Sequence, residues 1–268
     1  MYIAALIIVL IFAFFLFAVR GRVGNVDLAK LKGFDYAHRG LHGNGAAENS
    51  ITAFARAKEN CFGVELDVHL LKDGNLAVFH DSDLTRITGQ KGNIEDLNIT
   101  DLKNYYLENT GDTIPSFDEV LKLFDGAVPL IVELKPFKNN HNILCEKVSE
   151  KLEQYNGVYC IESFDPRCVY WFKKHKPQVL RGQLAENSLK RKLKINAIIR
   201  FLMTNNLLNF LTKPDFVAYR IEDRKVFSNK ICQKLWKMQM VGWTIRNIED
   251  HNAAKKENWL SIFEYFIP

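Results

Sequence analysis

Glu65 and Asp67 stand one residue apart in the apolar run Val64-Glu65-Leu66-Asp67-Val68. A β-strand sends alternate side chains to opposite faces, so both carboxylates point to one side. Side by side they repel unless a cation sits between them, which suits an oxygen-liganded divalent metal. A second apolar run, residues 129–135, repeats the alternation with Glu133 and Lys135. His38-Arg39-Gly40 precedes the first run, and His80-Asp81 follows it. Two imidazoles near a metal can supply a general base and a general acid. The set suits hydrolysis of a phosphodiester: metal and cations for the phosphate oxygens, imidazoles for the protons.

In order along the chain come His38-Arg39-Gly40, Glu48-Asn49-Ser50, Glu65-Leu66-Asp67-Val68, Lys72-Asp73-Gly74, His80-Asp81 and Arg86-Ile87-Thr88-Gly89. Ile114-Pro115-Ser116-Phe117, Val132-Glu133-Leu134-Lys135 and Trp243-Thr244-Ile245 follow. This ordered set resembles the glycerophosphodiester phosphodiesterase family, from Asp35 to the C-terminus, densely through Lys135 and thinly beyond. The resemblance implies a metal-dependent hydrolase that releases glycerol 3-phosphate and an alcohol.

It also implies roles. Glu65, Asp67 and Glu133 would hold one divalent cation, Mg²⁺ or Ca²⁺, since no thiolate or multi-imidazole set favours zinc. Carboxylates inside apolar strands are rarely buried without partners, which argues against three incidental acids. His38 and His80 are the implied acid–base pair, with the two roles and the nucleophile left open. Arg39 offers a planar fork to phosphate oxygens and Lys135 a point charge. Glu48 is expected to bind substrate, with metal binding or a helix N-terminal role as alternatives. Trp243 is a candidate substrate wall or a barrel-core residue. Asp81 could orient His80, and His42 and His69 are read as local hydrogen-bonding residues. Three positions depart from the family pattern. Ala47 replaces a proline, Arg246 stands where asparagine is common, and Ser261-Ile262-Phe263-Glu264-Tyr265 replaces a glycine–aspartate pattern.

The 268 residues are 47% hydrophobic and 25% charged, enough for one large core. A net charge of +5, dispersed along the chain, gives no case for a nucleic-acid partner. Five cysteines without CxxC spacing read as free thiols in a reducing compartment. Residues 2–19 carry no charge, and Arg20 and Arg22 follow them. A signal peptide would need a positive n-region and a small-residue cleavage site, which this stretch lacks. The expectation is therefore a transmembrane anchor over residues 1–20 and a juxtamembrane linker over 21–33. The protein would be a single-pass cell-membrane protein with its catalytic domain, 34–268, in the cytoplasm.

Strand patterns at 34–38, 64–70, 130–134, 158–162, 179–183, 216–219, 241–245 and 261–264 alternate with helical ones. The helices fall at 48–60, 116–124, 142–154, 165–174, 223–239 and 249–257. Eight such units predict an α/β fold, a (β/α)₈ TIM barrel, with its site at the C-terminal strand ends. Lys72-Asp73-Gly74-Asn75 marks a hairpin. Residues 82–114 do not fit the alternation and read as a small insertion. Residues 190–211 begin with a basic run and continue nearly all apolar. They read either as a buried outer helix or as a segment lying on a membrane surface, which would admit lysophospholipids. Two further functions thus stand beside the leading one: lysophospholipase D-type cleavage, or a catalytically silent membrane-bound binding module.

Overall fold

A computed structural model describes residues 2–191 and 196–268. Its strands are β1 (Tyr36–His38), β2 (Gly63–Leu70), β3 (Leu76–Val78), β4 (Leu130–Leu134) and β5 (Tyr159–Ser163). They continue as β6 (Arg181–Ala185), β7 (Phe216–Arg220), β8 (Gln239–Ile245) and β9 (Leu260–Phe263). All but β3 pair in parallel in the order β1-β9-β8-β7-β6-β5-β4-β2, and β1 also pairs with β2, which closes the ring. The expected eight-stranded parallel barrel is therefore present. β3 pairs antiparallel to the end of β2, with Val68 opposite Val78, as the Lys72–Asn75 turn predicts.

Both faces of each barrel strand are covered, so most strand residues are apolar and the charged ones are buried as well. Leu66, Val68, Val132 and Leu134 pack outward against the helices. Tyr36, Ile131, Phe216 and Ala218 fill the interior together with Leu31. Side-chain caps start several helices. Ser50 accepts from the Ala53 amide at the start of Ile51–Glu59, and Ser116 and Glu119 form a capping box for Phe117–Phe124. Residues 82–114 build a satellite core from Leu84, Ile87, Ile94, Leu102, Leu107 and Ile114, which joins Phe79 beside β3.

Three expectations are revised. The strand expected at 179–183 lies two residues later, where the Asp215 carboxylate accepts from the Arg181 amide. The helix expected over 223–239 is broken into a short α-turn, Phe227–Lys230, and a π-turn, Ile231–Leu235. The third revision is the largest. No helix among the described residues is long and apolar enough to cross a membrane. Tyr2–Ala18 has 17 residues. At 1.5 Å per residue that is about 25 Å, short of a hydrocarbon core of about 30 Å. Part of even this length is used in packing on the protein. Ala18 and Val19 are buried, the Trp236 indole donates to the Leu16 carbonyl, and Phe15 stacks on Phe227. The single-pass anchor, its cell-membrane localisation and the cytoplasmic orientation drawn from it are overturned.

The segment 190–211 is also not one helix. It contains Ala197–Thr204 and Asn209–Thr212, while Lys192, Leu193, Lys194 and Ile195 lie outside the described residues. Lys190 pairs with Asp223 at 2.8 Å and Arg191 with Glu186 at 2.9 Å. Leu207 is buried and Leu202 packs against the core, whereas Ile198, Ile199, Phe201 and Leu211 are exposed.

Candidate active site

Strand alternation carries the acidic side chains into the barrel. Glu65 and Asp67 leave β2 on its inner face, and Asp67 is in register with Glu133 on β4. Candidate ligand atoms of Glu65, Asp67 and Glu133 lie within 4.8 Å of one another, and all three residues are buried. Lys135 Nζ sits 2.6 Å from Glu133 and 3.0 Å from Asp67. Burial and then the charges of Asp67 and Glu133 push the Glu65 carboxyl well up. Burial also raises Glu133. Asp67 is held well down, because Lys135, His80 and Arg39 outweigh its burial. Three buried carboxylates here share only two adjacent cations, Lys135 and Arg39. That donor set fits a hard divalent cation, which Glu65, Asp67 and Glu133 would hold.

β1 ends on His38, and the chain turns back at once over the next helix. Gly40 makes that turn with φ +81°, and a Cβ there would come within 2.9 Å of Ala53. The turn presents the Arg39 amide to Glu65 Oε2 at 3.1 Å and the guanidinium to Glu48 at 2.8 Å. Glu48 also receives Arg86 at 2.7 Å, so it bridges two guanidiniums. His38 Nδ1 lies 2.5 Å from Glu264 and its Nε2 3.9 Å from Glu65. Burial pushes His38 down to about 4, against the opposing pull of Glu264.

His80 comes from the loop after β3 and not from a barrel strand. Its Nδ1 lies 2.5 Å from Asp81, whose other oxygen receives Arg86 at 2.5 Å. The hydrogen bond with His80 holds Asp81 well below the usual carboxylate range. His69 supports this loop, with Nε2 3.1 Å from the His80 carbonyl and Nδ1 2.8 Å from Glu95. His38, Arg39, Glu65, His80, Glu133, Lys135 and Trp243 all line one cleft at the C-terminal strand ends. The Trp243 indole donates to the Ala218 carbonyl and meets Phe164 edge-on at 5.5 Å.

Three residues of the site escape a reading of the sequence. Glu162 on β5 is in register with Glu133 and lies in the same cleft. The parity of Cys160 and Glu162 within β5 was the available signal. Asn49 donates to Asp67 at 2.8 Å, from the Glu48-Asn49-Ser50 motif itself. Glu264 follows β9, and its signal was its place in the Ser261–Tyr265 stretch that departs from the family's glycine–aspartate pattern.

Glu48 gives a pH prediction. Burial would raise its pKa, but the Arg86 hydrogen bonds and the Arg39 charge outweigh that and lower it. A carboxyl lowered by folding stabilises the fold above its unfolded pKa, about 4.3, and loses that contribution as pH falls. Glu48→Gln is expected to flatten the loss of stability from about pH 5 downward. Urea midpoints measured between pH 7 and 3 check this, and an unchanged slope would reject it.

Residues 38–257 match the glycerophosphoryl diester phosphodiesterase family. A glycerophosphodiester phosphodiesterase of Bacillus altitudinis is 36% identical over 155 residues, which cover 54% of this chain and 63% of the relative. Lysophospholipase D GDPD1 of Homo sapiens is 35% identical over 133 residues, 45% of this chain and 41% of its own. The chain thus spans less than two thirds of both relatives. A phosphodiesterase from Oleispira antarctica, solved with the product sn-glycerol-3-phosphate, superposes with a TM-score of 0.72 at 20% identity. That alignment covers 89% of this chain and 94% of the other, and at such identity it shows the barrel fold. With the family match extending over most of the barrel, this chain belongs to the glycerophosphoryl diester phosphodiesterase family.

Proposed function

We propose that this protein hydrolyses glycerophosphodiesters to glycerol 3-phosphate and an alcohol, using one divalent cation, Mg²⁺ or Ca²⁺. One observation carries the reading: the Glu65, Asp67 and Glu133 cluster shares a cleft with both His38 and His80. A bound cation supplies electrostatic stabilisation of the charge that develops on the phosphate oxygens. Arg39 and Lys135 add two donors to the same group. One imidazole takes the proton of the attacking hydroxyl and the other protonates the departing alkoxide. Asp81 orients His80 for this, and Trp243 closes one side of the cleft. Glu48 acts through Arg39 and Arg86, which it holds toward the phosphate.

The test is product analysis. Purified protein is incubated with water-soluble glycerophosphodiesters, with and without a chelator. Glycerol 3-phosphate release that stops on chelation and returns with Mg²⁺ or Ca²⁺ is expected. No release from any soluble diester with either cation would reject the reading.

A lysophospholipid is the second substrate reading. It is supported by the exposed Ile198, Ile199, Phe201 and Leu211, in the connection after β6. The resemblance to a human lysophospholipase D supports it too. These side chains would meet the acyl chains. Replacing Ile198, Ile199 and Phe201 with serine should then slow cleavage of micellar lysophospholipids more than that of soluble diesters. Equal rates for both substrates in both proteins would remove the lipid reading.

A further inference from the structure

Glu264 is buried at the end of β9, where a carboxylate must be fully partnered. Its two oxygens are divided between two elements. Oε2 faces His38 Nδ1 at 2.5 Å, with His42 Nε2 farther off at 3.6 Å. Oε1 accepts from Arg246 Nε at 2.7 Å and lies equally close to its Nη2. The Glu264 amide donates to the Ile245 carbonyl at 3.0 Å, which ties the residue to the end of β8 just before Arg246. The carboxylate is thus held on one side by a guanidinium and on the other meets an imidazole.

An ionised carboxylate only accepts hydrogen bonds. Beside it, a neutral imidazole keeps its proton on Nδ1, and the hydrogen bond also fixes the plane of the ring. Nε2 is then the atom left to exchange protons, and it is the nitrogen nearer Glu65, on the cleft side. We infer that Glu264 is a positioning residue that holds His38 in the Nδ1–H tautomer with Nε2 toward the cleft, and that Arg246 locks the Glu264 carboxylate in place. The pair accounts for two departures of this sequence together. An arginine at 246 and a glutamate at 264 meet across the ends of adjacent strands and complete each other's charge. The lowered pKa of Glu264 agrees: burial opposes ionisation, but His38, His42 and Arg246 outweigh it.

The inference rests on the proposed proton-transfer role of His38, and its test has a readout that does not. ¹⁵N-histidine-labelled full-length protein is examined by long-range ¹H–¹⁵N correlation, with the His38 signals assigned from a His38→Ala spectrum. Wild type should show a protonated Nδ1 and a bare Nε2 at His38. Glu264→Gln should mix or reverse that pattern and lower kcat roughly 10–100-fold with little change in KM. Glu264→Asp, which keeps a carboxylate and guards against a folding failure of the glutamine variant, should restore the pattern and part of kcat. Arg246→Gln should fall between wild type and Glu264→Gln. An Nε2–H tautomer in wild type, or a Glu264→Gln variant with unchanged His38 signals, overturns the inference. A changed tautomer with unchanged kcat supports the positioning and instead removes His38 from the chemistry.

Discussion

Replacing Glu65, Asp67 or Glu133 with alanine is expected to abolish diester hydrolysis and leave a folded barrel. The activity loss should exceed the ~10–100-fold typical of groups that merely support metal ligands. Stability should move the other way for Glu65. Its carboxyl is pushed up by burial and by Asp67 and Glu133, so in chelator its removal relieves repulsion. Asp67 differs, since Lys135, Arg39 and Asn49 all converge on it. Truncating Asp67 takes one partner from each of two partly buried cations, leaving Lys135 with Glu133 and Arg39 with Glu48, and should lower Tm. Activity and thermal melting of the three variants, each with chelator and with added Mg²⁺ or Ca²⁺, separate these effects. Full activity after exhaustive chelation, or in any of the three variants, rejects the cation site.

Loss of either imidazole should cost ~10²–10⁴ in kcat with little effect on stability. The two variants should part company on a diester with a nitrophenyl leaving group. Such a group departs without a proton, so the variant lacking the general acid regains rate and the variant lacking the base does not. The structure sharpens the comparison, because the rings are held differently. His38 is partly buried between Glu264 and the acidic cluster, whereas His80 is about a third exposed and hydrogen-bonded to Asp81. Equal defects on both substrates in both variants would contradict separate acid and base roles.

Much of this arrangement is written locally. The period-2 placement of Glu65 and Asp67 in one apolar strand, and of Glu133 and Lys135 in another, specifies the face on which each pair stands, while the register that sets Asp67 opposite Glu133 comes from the pairing of β2 with β4. The turn at Lys72–Asn75 specifies the β3 hairpin that carries His80. What local pattern does not specify is which side chains from distant strands share an end of the barrel. Glu264 meets His38 across 226 residues, and Arg22 meets Asp215 across 193. Neither pairing leaves a periodic trace. The N-terminal run misled for a related reason. Hydropathy counts apolar residues but does not know that Phe15, Leu16, Ala18 and Val19 already have protein partners. The segment 190–211 shows the same limit, since its apolar residues divide between core and surface in a way set by the turn at Asn205–Leu208.

His80 stands outside the barrel ring, on a loop whose far side is the satellite core of residues 82–114. The unit is tied to the rest of the protein by the Lys72 amide to the Leu97 carbonyl and by the side-chain pairs Arg86–Glu48, His69–Glu95 and Thr52–Asp112. Small peripheral units of this kind open as separate cooperative blocks at lower free energy than the domain they decorate. If the insertion opens as such a block, His80, proposed as one proton-transfer group, would go with it, while His38 would stay with the barrel. Mild urea or warming would silence turnover before the barrel melts, and a protease that nicks the opened block would leave a folded, metal-competent but inactive remnant. Turnover would then be a gauge of the insertion's integrity as much as of the barrel's.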